Sequence, residues 1–199
     1  MKIIVIGAGG AVGSAVCNEL GQRHELIRVG RNSGDIHADI TDRESIRAMY
    51  RKTGKVDAVA CASGSVHYGP FTELTQEQVM VGLTSKVMGQ INLVLCGLDH
   101  VNDGGSFTLI SGVPDRDPVR SGTCAATANG ALAGFVTGAA IEMPRGLRIN
   151  VVSPRLLDVS VPTFGPFFPG HEAVSSARVG LAYGKSIEGA ITGKVIVID

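Results

Sequence analysis

The residues whose types and spacing best suit chemistry stand at the start of the chain, in Gly7-Ala8-Gly9-Gly10-Ala11-Val12-Gly13. Glycine has no side chain, so a backbone made of it turns tightly and lets a large anion approach closely. A helix opening at the end of such a run offers amides without partners and roughly half a positive charge from its dipole. That combination suits a pyrophosphate. Gly7, Gly9, Gly10, Ala11, Val12 and Gly13 are therefore the candidate cradle. A glycine turn with no ligand is the plainer alternative.

A second group bears on which dinucleotide such a cradle would hold. Gly30-Arg31-Asn32-Ser33 follows Glu25-Leu26-Ile27-Arg28-Val29, a strand-like run. In a dinucleotide fold the tip of the second strand meets the adenosine ribose, and a carboxylate there favours NAD. Here an arginine takes that place. A guanidinium grips a 2′-phosphate through two parallel charge-assisted bonds, and Ser33 and the Asn32 backbone add donors. NADP(H) is the expected cofactor, preferred over NAD(H); a solvated loop charge is the alternative for Arg31. Asp39 and Ile40 come just past a short third strand. Asp39 can accept from the adenine amine or cap a helix. Ala62-Ser63-Gly64, small residues after the fourth strand, would let a cofactor lie against backbone.

The candidates for proton chemistry are fewer. Lys86 shares a partly apolar helix face with Val79 and Leu93, and Ser111 closes the fifth strand. A lysine on such a face either snorkels to water or marks a site. His67 and Tyr68 lie in a loop above the same sheet edge, where they can face a substrate or solvent. Phe164, Phe167 and Phe168 read as a pocket wall or as a lid packed on itself. Cys17, Cys61, Cys96 and Cys124 are far apart, with no metal-ligand spacing.

The elements that must position these residues alternate. Lys2–Ile6 is an apolar β-branched run, and helical spacing follows it over 15–20. A helix led by Thr41 or Asp42 runs through Ile46, Met49 and Tyr50 to Gly54, and Val56–Cys61 reads as the fourth strand. Thr75 with Gln78 forms a capping-box pattern for a long helix to about Leu98, striped by Val79, Leu83, Val87, Ile91, Val94 and Leu98. Ser106–Ile110 reads as strand five. An Ala/Gly-rich helix follows over about 124–143, with Asn129 the polar exception in the row Ala125, Leu132, Val136, Ala140 and Met143. Leu147–Val152 is strand six. Residues 153–170 show no helical period and read as a lid or substrate loop, before a helix over about 172–185 and a last strand over 193–198. Alternation of this kind predicts a doubly wound parallel α/β sheet of about seven strands, helices on both faces, in one domain spanning 1–199.

Composition bounds the function. The chain has 199 residues and a formal net charge of zero, with charged residues at 18%. No basic excess points to nucleic acid and no Lys/Arg cluster to an anionic membrane. The first strand begins at once and no apolar run reads as spanning a bilayer, so a cytoplasmic protein with reduced thiols is expected.

The motifs together resemble the short-chain dehydrogenase/reductase family along nearly the whole chain. The resemblance rests on Gly7-x-x-Gly10-x-x-Gly13, Gly30-Arg31, Asp39-Ile40-Thr41-Asp42, Ala62-Ser63-Gly64, the run Gly130–Phe135, Pro144–Pro154, and Thr192-Gly193. It implies a seven-stranded parallel sheet, a Rossmann fold, NAD(P) binding, and a homodimer or homotetramer through the two long helices. The family's catalytic tyrosine and lysine, four residues apart, fall on Ala125 and Asn129. Its serine falls on Gly112, beside Ser111, and its active-site asparagine on Lys86. The usual asparagine pair after the fourth strand reads Cys61-Ala62. Ala125 cannot donate a proton, and losing a positioned general acid typically costs about 10²–10⁴ in rate. Two expectations follow. One is an oxidoreductase on an unknown carbonyl or alcohol, with Lys86 in the proton relay, Ser111 polarising the carbonyl and Tyr68 or His67 supplying the proton. The other is a non-catalytic NADP(H)-binding sensor or interaction protein.

Overall fold

A computed structural model describes residues 1–199. The elements run β1 (Lys2–Ile6), α1 (Ala11–Leu20), β2 (Glu25–Gly30), β3 (Ile36–His37), α2 (Arg43–Thr53), β4 (Val56–Cys61), α3 (Gln76–Gly82), α4 (Gly89–Gly97), β5 (Val101–Ile110), α5 (Thr123–Ala140), β6 (Arg148–Pro154), α6 (Val161–Phe164), α7 (Ser176–Glu188) and β7 (Val195–Ile198). All seven strands are parallel, in the order β3-β2-β1-β4-β5-β6-β7. The order reverses direction between β1 and β4, and that switch point is where such sheets bind ligands.

Both faces of the sheet are covered. Ile4, Ile6, Phe107 and Leu109 face one way and pack with Met49 and Tyr50 of α2, Leu93 of α4 and Leu132 of α5. Ile3 and Val5 face the other way, against Val16 and Leu20 of α1 and Tyr183 and Ile187 of α7. A strand buried on both faces has no need of polar alternation, which is why Ile3–Ile6 is an unbroken apolar run.

Several boundaries differ from the expected ones. Strand β5 begins at Val101, because Val101 pairs with Val56 before a register shift brings Ser106 opposite Ala58. Helix α7 begins at Ser176, since Val174 bridges Leu157 and Ser175 accepts from the Arg178 amide as the cap. The 153–170 segment is not free of helix: Asp158–Phe167 forms two short 3₁₀ turns around α6. The long helix runs over 76–97 with the capping box in place at Thr75 and Gln78, but a π turn at Leu83–Met88 divides α3 from α4.

This last helix also corrects an expectation. Gln76–Gly97 is long and apolar enough to cross a membrane by length and composition. In this fold it is a core helix. Tyr50 Oη donates to the Leu93 carbonyl at 2.7 Å, and Gln90 is fully buried against β5.

Candidate active site

The glycine loop is shaped by backbone contacts. Gly7 has φ +78°, in the left-handed region, and a Cβ there would lie 2.8 Å from the Ala62 carbonyl oxygen. At Gly13 a Cβ would stand 2.0 Å from the Gly7 oxygen, so only glycine lets α1 start so close to β1. Gly10 is the N-cap of α1 and makes no side-chain cap bond. The amides of Ala11, Val12 and Gly13 donate to no backbone carbonyl. Three donors at a helix start, in an open loop floored by glycine, fit a dinucleotide pyrophosphate. Gly9 and Gly10 are exposed on its rim, and Val12 reaches the neighbouring cavity.

Beside the loop lies a smaller cavity of about 180 Å³, bounded by Gly7, Gly30, Arg31, Ile40, Ser63 and Ser85. It draws the ends of β1, β2 and β4 together. The Arg31 guanidinium is exposed and rests on Asp39 at 3.3 Å. Asp39 is already engaged: its Oδ1 accepts from the Thr41 amide at 2.9 Å and the Thr41 hydroxyl at 2.8 Å. Those bonds hold its carboxyl below the usual range. Asp39 thus closes a turn on Thr41, while the N-cap of α2 is Asp42, whose side chain accepts from the Glu44 amide at 2.9 Å. Ser33 turns back toward the glycine loop, with its Oγ 3.5 Å from where a Gly9 Cβ would lie. Asn32 is exposed.

The larger cavity, about 420 Å³, adjoins the cradle at Val12, Ala62, Ser63 and Gly64. Lys86, Ser111, Ala125 and Asn129 line it with Tyr68, Arg155, Phe164 and Phe168. Lys86 leaves the helix within the π turn, a feature often found at functional sites. Its stem lies against Gly64, where a Cβ would meet Lys86 Cγ at 2.8 Å. Its ammonium donates to the Ser111 carbonyl at 3.1 Å. The residue is half-buried at the cavity wall. Burial pulls its pKa down to about 8, against the opposing charges of Asp115 and Cys61. An amine of that pKa is a poised acid near neutrality.

The remaining candidates separate. Ser111 is buried and gives Lys86 its carbonyl, whereas its hydroxyl points to the Val152 oxygen at 3.5 Å. Asn129 donates from Nδ2 to the Gly112 carbonyl at 2.9 Å, leaving a buried Oδ1 without a partner. Ala125 is buried beside it. Tyr68 is in the cavity wall, its ring 5.1 Å from Phe167 and 6.4 Å from Phe164, and burial raises its phenol pKa. His67 is not among the lining residues, so of the loop pair only Tyr68 faces the cavity. Phe164 and Phe168 line the cavity, and Phe164 and Phe167 pack on Tyr68.

Two features were missed by sequence reasoning. Gln90, four residues after Lys86, clamps the end of β5. Its Nε2 donates to the Ile110 carbonyl at 2.9 Å and its Oε1 accepts from the Ile110 amide at 2.8 Å. Pairing of β4 with β5 ends at Ala60 and Thr108, so Gln90 satisfies the edge that β4 has left. A glutamine within an apolar stripe was the available signal. The other feature is a charged girdle behind the cavity. Arg116 bonds Ser153 and Asp199, and Arg155 also reaches Asp199, at 3.1 Å. No spacing in the sequence links those residues.

Residues 7–182 match a family described as enoyl-(acyl carrier protein) reductase. Among curated proteins, the cyclic-di-GMP-binding biofilm dispersal mediator protein of Escherichia coli (strain K12) is 24% identical over 82% of this chain and 76% of its own. The hydroxynaphthalene reductase arp2 of Aspergillus fumigatus is 23% identical over 76% of this chain, which spans only 64% of that protein's length. Among solved structures, the protein lin1944 from Listeria innocua is 50% identical with a TM-score of 0.99, each chain fully covered. A small-chain dehydrogenase in complex with NADPH superposes with a TM-score of 0.87 at 22% identity, covering 100% of this chain and 96% of its own. The glycine cradle, the parallel sheet and these matches agree: the chain belongs to the short-chain dehydrogenase/reductase family, an oxidoreductase family that binds nicotinamide cofactors.

Proposed function

We propose that this protein is an NADP(H)-dependent oxidoreductase acting on a carbonyl or alcohol, with Lys86 as the acid–base group in place of the family tyrosine. The observation that carries this reading is the buried Lys86 ammonium in the cavity that adjoins the glycine cradle. The amides of Ala11, Val12 and Gly13 would hold the pyrophosphate, and Arg31 a 2′-phosphate. When bound, the nicotinamide supplies or accepts the hydride. Lys86 donates a proton to the oxygen of a ketone or aldehyde, and the Ser111 carbonyl holds its amine in place. Tyr68 is the second donor in the same cavity. Leu156, Phe164 and Phe168 exclude water from the reacting carbonyl. A relative named a hydroxynaphthalene reductase and a neighbour in complex with NADPH favour this reading.

NADPH oxidation with a panel of small aldehydes and ketones tests it. Turnover is expected in the wild type and a loss of about 10²–10⁴ in Lys86→Met. Turnover unchanged in that variant would remove Lys86 from the mechanism. The second reading, a cofactor-binding protein without turnover, is favoured by Ala125, which puts a methyl where the family has its acid. It predicts cofactor binding with no oxidation by any carbonyl. Assembly through α3–α4 and α5 and a cytoplasmic location belong to the same proposal; Met80, Met88 and Leu95 are exposed apolar side chains on that helix pair.

A further inference from the structure

We propose that Lys86 is a covalent docking site, whose amine condenses with an aromatic aldehyde entering the cavity to form a reversible imine. The cavity has the volume for one aromatic ring with a short substituent. Its outer wall, with Tyr68, Phe164 and Phe168, is aromatic, and its floor carries a primary amine. That amine makes one hydrogen bond, to the Ser111 carbonyl, and no ion pair. No carboxylate therefore locks it as an ammonium, and its stem is fixed against Gly64. Asp115 and Cys61 act on it electrostatically, and Tyr68 and Arg155 are the other titratable side chains lining the cavity. A desolvated lysine in an apolar pocket is the usual origin of Schiff-base chemistry.

The step balances without a redox partner. The Nζ lone pair forms a bond to the carbonyl carbon while the C=O π pair moves to oxygen. Proton transfer from nitrogen to oxygen gives a neutral carbinolamine. Loss of water then leaves a C=N bond. The proton-free amine is the reactant, and with a pKa of about 8 Lys86 keeps a useful share of it at neutral pH. Lys52, Lys55, Lys185 and Lys194 are exposed to water and stand outside the cavity.

The test uses the wild-type chain, benzaldehyde and sodium cyanoborohydride, with no cofactor present. Peptide mass spectrometry then maps the benzylated lysines. The expected result is a single early adduct on Lys86, formed at least about tenfold faster at pH 7.4 than on any surface lysine, and slowing as pH falls toward 6. Lys86→Arg keeps the charge and should abolish that adduct, with circular dichroism checking the fold. Adducts spread over the exposed lysines, with Lys86 no faster than the rest, would overturn the proposal. The wild-type mapping decides the matter even if the variant does not fold. Because no nicotinamide is added, failure of labelling leaves hydride transfer standing, and absence of NADPH oxidation leaves the imine standing.

Discussion

At the scale of single residues, Lys86 is held at a cost to the fold. Its folded pKa of about 8 lies below the ordinary lysine value, so the unfolded chain binds more protons than the folded one between the two. Stability then rises as pH climbs from about 8 toward 10.5, and the full penalty is present below 8. Removing the amine should relieve it. Lys86→Met is expected to raise stability at pH 7 by up to about 3 kcal/mol, with little gain at pH 10.5, as measured by urea denaturation at each pH. A destabilised variant at pH 7 would mean that the Ser111 bond outweighs the desolvation. On the proposed mechanism the same group sets the direction of the rate profile. As the proton donor in reduction Lys86 must carry its proton, so kcat/KM for a carbonyl should fall as pH rises through about 8. An alcohol oxidised in reverse should show the opposite slope.

At the scale of elements, the helix over 76–97 decides where Lys86 goes, and Gln90 decides where the helix sits. Gln90→Leu keeps the volume and removes both bonds to Ile110, leaving an amide and a carbonyl buried without partners. The expected loss is about 2–4 kcal/mol, read by chemical denaturation. Turnover should fall as well, because the loosened helix no longer sets the Lys86 amine beside Ser111. Normal stability in that variant would show that water replaces the side chain. This element also marks how far the sequence could be read. Apolar periodicity and the Thr75–Gln78 box gave the helix and its start, because both are local. The π turn was not legible in local periodicity, and the contacts around it, Lys86 with Gly64 and Ser111 and Gln90 with Ile110, join residues far apart in the sequence. The glycine cradle was legible because strand, turn and helix are contiguous. Asp39 was left open between adenine and cap; the cap proves to be Asp42, and Asp39 closes a turn on Thr41. The single-residue placement of Lys86 at the site came only with the family resemblance; its apolar face alone suited a snorkelling lysine equally well.

At the scale of the whole molecule, the sheet brings two functions to one edge: a cradle at the end of β1 and a cavity roofed by the segment after β6. They share the loop after β4, where Ser63 and Ser65 line both the larger cavity and the smaller one beside the cradle. A ligand held across that edge ties β1, β2 and β4 together, so its binding should register as global stability. At about 100 times its dissociation constant, one ligand adds about 2.7 kcal/mol, which for a chain of this size is roughly 5–10 °C in Tm. NADPH should give that shift at a lower concentration than NADH, because only NADPH brings a 2′-phosphate to Arg31. Arg31 has a competing partner in Asp39, but an exposed pair at 3.3 Å is worth little and yields to a dianion. Arg31→Ala should therefore bring the NADPH and NADH titrations together while leaving the NADH curve nearly unchanged. Two curves that stay apart in that variant would assign the phosphate to another donor, with Ser33 the nearest on the same turn.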